Sequence, residues 1–467
     1  MKLAKTLLWG GMLLSPLANS TEPATLDKQL SGGATTVLDK SSNAFSLPAN
    51  NLSILRRDNF FIGNAFFKQP WVIAPSSTSA RDGLGPLFNS NSCQGCHVKD
   101  GKGHPPLTRE DNFLSTLVRL SIPAETSEQK ALLSTLGVVP EPSYGDQIQP
   151  NAIPSLKGEA TPRFDYEEIT GQFKDGETYT LLKPILKLEN LNYGALHPQV
   201  QMSARVAPVM IGMGLLEAIP EADLLALADP DDKNNDGISG RLNQVWDVKS
   251  QKTVVGRFGW KANQPTVEQQ SAGAFHGDLG ITSPMFANPP CTSSQADCLK
   301  APHGGQPEIN QELLEMVSFY ASLLAVPARR DVQDPEVLKG ERLFKLANCS
   351  ACHLPELKTG FKPDFPELEN QTIQPFTDLL LHDMGEGLAD QRPDYLATGS
   401  EWRTAPLWGI GLIETVNGHT RFLHDGRARN LMEAILWHEG EAKASRDYVL
   451  KLHKDKRTAL LRFLNSL

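Results

Sequence analysis

Three absences narrow the reading of this chain before any motif is considered. There is no run of basic residues: Lys and Arg total 45 against 54 Asp and Glu, for a formal net charge of -9, so the sequence offers no electrostatic face for nucleic acid. Beyond the first twenty residues there is no apolar stretch long enough for a membrane helix, which argues against an integral membrane segment in the mature chain. There is no second C-x-x-C pair close to either of the two that are present, as a zinc ribbon would require.

What is present is a pair of C-x-x-C-H pentads, Cys93-Gln94-Gly95-Cys96-His97 and Cys349-Ser350-Ala351-Cys352-His353. This pattern attaches a c-type haem: each thiol adds across one vinyl group, and the adjacent imidazole is held where it ligates the iron. A thioredoxin-like pair needs no following histidine. The pentads therefore predict two covalently bound haems c, with His97 and His353 as the proximal iron ligands. The other two cysteines, Cys291 and Cys298, lie in a Pro- and Ser-rich stretch and predict a local disulfide; a redox-active pair is the alternative.

Lys2 and Lys5, the apolar run Thr6 to Ala18 and the small-residue site Ala18-Asn19-Ser20 predict a cleaved secretory leader over residues 1–20. Its removal takes the formal charge to -11, since two lysines go with it. Export to the periplasm suits the cofactor, because the cytochromes that the pentads resemble receive their haem outside the bacterial cytoplasm.

A mature chain of roughly 447 residues exceeds one ordinary core. In Asn310–Ala325, Leu313, Leu314, Val317, Ala321 and Leu324 share one helical face that Pro327 closes, and residues 326–337 are charged and Pro-punctuated. The expected organisation is a first haem domain with an insert over 21–325, a linker over 326–337 and a second haem domain over 338–467. The last of these ends on a helix striped by Leu460, Leu464 and Leu467. In the insert, "GETYTLLKPILKLEN" has the β-branched and apolar content of a strand pair. The expected fold class is mainly α: two cytochrome c-like domains with a loop-rich insert containing minor β structure.

With both pentads, the tail "EWRTAPLWGIGLIETVNGHTRFLHDGRARNLMEAILWHEGEA" and the stretches "ARVAPVMIGMGLLEAIPEADLLALADPDD" and "GRFGWKANQPTVEQQSAGAFHGDLGITS" make the chain resemble the dihaem cytochrome c peroxidase superfamily, in its branch of dihaem oxidoreductases. The resemblance implies a substrate-reactive first haem and an electron-relay second haem. It puts His438, fourteen residues after His424 of the His-Asp-Gly turn, where the peroxidases carry a methionine as distal ligand of the second iron. An imidazole in that position lowers the potential relative to a thioether. Met384 is a second candidate ligand, and His382 and His424 read as polar partners around the site.

The same register makes Trp260 the inter-haem tryptophan and Gln270 the active-site glutamine. The slot of the catalytic glutamate falls on Gly280, so Asp278 is the nearest carboxylate, with Glu268 and His276 as alternatives. His197 stands near where some peroxidases carry a displaceable ligand of the first iron, with His104 and Met202 as further candidates. A separate pattern, Asp232, Asn234, Asp236 and the Ile238 carbonyl, looks like the first half of a Ca2+ loop but lacks its acidic closing residue; an acidic Asx-rich turn is the plain alternative. The expected partners are a soluble electron donor or acceptor protein and either peroxide or a protein substrate. The competing function is a non-enzymatic dihaem electron carrier.

Overall fold

Two helix pairs, one in each half of the chain, form the frame on which the cysteine motifs sit. The computed structural model describes residues 28–78, 80–108 and 111–467, so the leader expected at 1–20 lies outside the described residues. In the first half, helix Ile54–Lys68 buries Phe60, Gly63 and Phe67 against helix Gln311–Ser322, which is capped by the Asn310 side chain and buries Leu314, Val317 and Tyr320. Gly63 is required at the crossing: a Cβ there would lie 2.2 Å from the Met316 carbonyl oxygen. Tyr320 packs on Phe60 and Phe67 at 4.7 and 5.3 Å between ring centroids.

The second half repeats the device. Helix Pro335–Leu346, with Asp334 as its N-cap and a proline in its first turn, packs on helix Lys454–Leu464. A Cβ on Gly340 would stand 2.0 Å from the Ala459 carbonyl oxygen. Leu460, Phe463, Leu464 and Leu467 are buried in this contact region, which tightens around Phe344.

One continuous set of buried apolar residues runs from Ala44 to Leu467 and includes Val326 from the segment expected to be a linker. That segment is tied down on both sides. The Ala328 amide donates to the Val37 carbonyl and the Arg330 guanidinium donates to the carbonyl oxygens of Asn465 and Leu467.

The expectation of a mainly α chain is overturned: the protein is 29% helix and 18% strand, spread over several small sheets. Much of the strand content comes from the insert. Its strand Thr116–Ser121 is central in a three-stranded antiparallel sheet with Gln147–Ile148 and Gln201–Val206, and Thr161–Gln172 pairs with Thr178–Glu189 as a twelve-residue ribbon. Val118, Leu120, Tyr144 and Ile148 give the sheet its own small core. Elsewhere, two- to four-residue strands such as Leu381–Asp383 with Glu401–Arg403 satisfy the backbone of loops that wall the interior.

The ribbon reaches the C-terminal half. At its tip Phe173 is buried under the Arg457 guanidinium, 3.9 Å from the ring centroid, and Arg457 pairs with Asp175 at 2.9 Å and with Glu177. Among the described residues no helix is long and apolar enough to cross a membrane.

Candidate active site

Both pentads open onto one cavity of about 770 Å³, whose walls include Cys96, His97, Gln270 and Asp278 at one end and Cys349, Cys352, His353 and His438 at the other. At the first pentad, Cys93–Cys96 forms a single helical turn capped by the Ser92 hydroxyl, and His97 leaves the helix at its C-terminus. The His97 Nδ1–H donates to the Pro208 carbonyl at 2.8 Å, which directs Nε2 away from the chain and leaves its lone pair for a metal. His353 has the same arrangement, donating through Nδ1 to the Phe376 carbonyl at 3.0 Å. Burial depresses both imidazoles to a pKa of about 4, so both are neutral and competent as ligands.

The four pentad thiols are free, while Cys291 and Cys298 are joined in a disulfide. Burial pushes the Cys93 and Cys349 thiols up to about 12. That is the reverse of the depressed thiol on which a redox-active C-x-x-C depends.

His438 follows the short helix Leu431–Leu436, and its Nδ1–H donates to the Ala434 carbonyl at 2.7 Å. Its ring faces that of His353 with 6.4 Å between centroids. Two imidazoles on opposite sides of one metal, each bonded at about 2 Å with its ring centre roughly 1.2 Å further out, have centroids roughly 6.4 Å apart. The residues at the second pentad therefore fit an iron between His353 and His438. Met384 also lines the cavity.

The haem itself is anionic through its propionates, and the walls offer cations. Arg205 lines the cavity and is ion-paired to Asp394 at 2.6 Å and, through the terminal nitrogen that makes no hydrogen bond, to Asp390 at 3.6 Å. Lys102 and Arg403 line the cavity as well, and burial lowers Lys102 to about 7 and Arg403 to about 10. Burial disfavours these charges unless an anion accompanies them, so the cation-rich wall suits a carboxylate-bearing cofactor.

Trp260 and Trp402 also line the cavity. Trp260 donates its indole N–H to the Val206 carbonyl at 2.8 Å, with the Lys102 ammonium 4.8 Å from its ring centroid. Trp402, which no motif singled out, stacks on His424 at 3.7 Å and 11°, with Lys261 4.4 Å from its centroid. Burial keeps His424 neutral, lowering it to about 3. His382 lies beside the second pentad, held by Asp378 at 2.9 Å and Glu441 at 2.7 Å. Burial opposes its charge, but hydrogen bonds to Asp378, Cys352 and Glu441 outweigh that effect and raise it to about 12. Cys352, Asp378 and His382 form the one cluster of metal-ligating groups among the described residues, but both His382 nitrogens are already engaged and Cys352 belongs to the pentad.

The first pentad has different surroundings. Among the described residues His97 has one ring contact, with Phe67 at 6.3 Å, and no facing imidazole. Gln270 and Asp278, both on helix Val267–Leu279, line the cavity at this end; the Gln270 amide has no hydrogen-bond partner among the described residues. Burial raises Asp278 to about 6, although the Gln147 amide and the Arg119 charge favour its ionised form. Arg119, Asp146 and Gln147 were not foreseen from the sequence; the only signal was a lone arginine in the otherwise apolar strand Thr116–Ser121.

Of the alternatives to Asp278, Glu268 lies on the outer side of the helix, paired with Lys249 at 2.9 Å and accepting from Gln311. His276 lines the cavity and hydrogen-bonds the Asn288 carbonyl. His197 is not among the cavity walls: its Nδ1 accepts from the Gln199 amide and its own amide donates to Glu141. His104 and Met202 do not line the cavity either. In the stretch Asp232–Ile238, the side-chain oxygens of Asp232, Asn234 and Asp236 accept from the amides of Asp236, Gly237 and Ile238, the bonding of an Asx-rich turn.

Two histidine-bearing thiol pentads on one cation-lined cavity define a dihaem redox protein. The family model described as "Di-haem oxidoreductase, putative peroxidase" matches residues 25–467, nearly the whole chain, and the protein belongs to that family. Comparison with curated proteins and with solved structures gave no match.

Proposed function

We propose that the chain is an exported peroxidase with two covalently attached haems c, taking electrons from a soluble donor protein at the second haem and passing them to peroxide at the first. When bound, the haems supply stored electrons and a redox-active iron at each end of the cavity. Cys93, Cys96, Cys349 and Cys352 would hold them through thioethers, His97 and His353 would each supply an imidazole to one iron, and His438 would supply a second imidazole to the iron at the second pentad. The observation that carries this reading is the asymmetry of the cavity. His353 faces an imidazole at 6.4 Å, whereas among the described residues no imidazole faces His97, and Gln270 and Asp278 line the cavity onto which it opens.

The overall reaction takes one peroxide, two electrons and two protons to two waters. In it, Asp278 removes the proton from the attacking oxygen of peroxide and returns it to the departing one, a role suited to a carboxylate of raised pKa in a desolvated pocket. The Gln270 amide hydrogen-bonds the bound peroxide, and Trp260 bridges the two ends of the cavity.

The reading is tested with the haem-loaded protein, a reduced donor cytochrome and hydrogen peroxide. Oxidation of two donor molecules for each peroxide consumed supports it. No peroxide-dependent oxidation, with ordinary electron exchange between donor and protein, identifies an electron carrier instead.

A further inference from the structure

Gln147 makes a set of contacts that fixes the direction of its amide. Its carbonyl end accepts from Arg119 at 2.8 Å, and the two hydrogens of its NH2 end are shared among three acceptors, the Asn89 side-chain oxygen at 2.7 Å, Asp278 Oδ1 at 2.8 Å and the Gly277 carbonyl at 3.0 Å. An amide can usually be turned end for end, but a guanidinium has no lone pair to offer an NH2 group, so the Arg119 contact forbids the reversed orientation. Arg119 is itself held by Asp146 on the same strand pair. The Gln147 side chain bridges from the insert sheet to the helix that carries Gln270 and Asp278.

The consequence falls on Asp278. Its Oδ1 is occupied by Gln147, while Oδ2 has no hydrogen-bond partner among the described residues. The backbone around it is also fixed, since the Asp278 carbonyl accepts from the amides of Asn89 and Ser90, just before the first pentad. The insert, whose sequence suggests no role, thus supplies the group that orients this carboxylate.

We propose that Arg119 and Gln147 are the positioning pair for the proton-accepting carboxylate: Arg119 locks the Gln147 amide, which holds Asp278 by one oxygen and leaves the other for the substrate. This rests on the peroxidase reading. The ionisable groups acting on Asp278 are Arg119 and Asp146 from the insert and the Cys93 and Cys96 sulfurs, which cease to titrate once they are thioethers; His276, two residues earlier on the same helix, lines the same cavity. A donated hydrogen bond favours the ionised carboxylate, so losing it raises the pKa, and a second carboxylate in its place raises the pKa further.

The test follows the protonated-carboxyl infrared band of Asp278 against pH in the ferric haem-loaded protein, assigned by its loss in Asp278→Asn. In Gln147→Leu the midpoint is expected to rise by about one unit and in the near-isosteric Gln147→Glu by more, while Arg119→Lys gives a smaller rise. The acidic limb of the kcat/KM profile should move with the band. Should Gln147→Leu fail to load both haems, Gln147→Glu decides. An unmoved band in fully loaded Gln147→Glu overturns the proposal. The two readings fail differently: wild-type peroxide turnover in Asp278→Asn removes the role of Asp278 and the pair with it. Lost turnover in Asp278→Asn, together with an unmoved band in the Gln147 variants, removes the pair alone.

Discussion

The two pentads are held by the same device and face opposite kinds of surroundings. In each half a glycine lets two helices cross closely, Gly63 over Met316 and Gly340 over Ala459, and a phenylalanine four residues later packs 6.3 Å from the pentad histidine, Phe67 on His97 and Phe344 on His353. In each, the histidine donates Nδ1–H to a backbone carbonyl. Beyond that point the halves diverge, with a second imidazole opposite His353 and an acid, an amide and an arginine around the cavity near His97. Under the proposed function, this shared scaffold with unlike surroundings would let one protein separate electron storage from chemistry.

The comparison is broken most completely by removing one attachment. Replacing Cys349 and Cys352 by alanine is expected to reduce the intact mass by one haem and to abolish peroxide turnover, whereas the first haem keeps its own spectrum. Retention of two haems in that variant would refute covalent attachment at the second pentad. Next in size is Asp278→Asn, for which kcat should fall by roughly 10²–10⁴-fold. If the ionised form of Asp278 is the proton acceptor, as proposed, then with its pKa raised to about 6 the wild-type kcat/KM should fall as pH drops through about 6, and this limb should vanish in the asparagine variant. His438→Met should leave both haems attached but raise the potential of the second, read by potentiometric titration, because a thioether favours the reduced iron. An unchanged potential would argue that His438 is not a ligand.

The smaller effects concern the scaffold. Gly340→Ala forces a methyl group against the Ala459 carbonyl, and Gly63→Ala does the same at Met316, so each should destabilise the protein by about 1–3 kcal/mol, seen as a lower Tm. Smallest of all is the combined Asp175→Asn and Glu177→Gln change at the ribbon tip. These carboxylates are held below their usual pKa by hydrogen bonds from Arg457 and Lys454, so their contribution is present above the unfolded carboxylate range and is lost as pH falls through the folded values. The variant should show a slightly reduced Tm at neutral pH and a difference that closes in acid and in high salt.

How much of this could be read from the residues alone follows from how the information is written along the chain. The expectation of haem attachment rests on five consecutive residues and so could be drawn twice over, whereas that of His438 rests only on its spacing from the His424 turn, and those of Trp260, Gln270 and Asp278 only on the family register. The shared helix device was hidden because its parts stand at unlike distances from the pentads: Phe67 lies 26 residues before Cys93, and Phe344 only five before Cys349. Arg119 and Gln147 were invisible because strand pairing brings together residues 28 apart and then sets them against a helix 131 positions further on. The fold class was missed for a related reason. Strand Thr178–Glu189 lies in the stretch expected to be β, but its partner Thr161–Gln172 carries charges at many positions because the ribbon leaves much of its surface in solvent, and such a strand lacks the apolar alternation that marks a core sheet.

The central claim, that the two irons have unlike sixth positions, is tested most directly by low-temperature electron paramagnetic resonance of the isolated, fully oxidised, haem-loaded protein. One high-spin signal from the His97 end and one low-spin signal from an iron between His353 and His438 are expected, and His438→Ala should convert the second to high spin. Two low-spin signals in the fully oxidised wild-type protein, with the iron at the His97 end still low-spin after the second haem is reduced to its silent ferrous state, would contradict the claim.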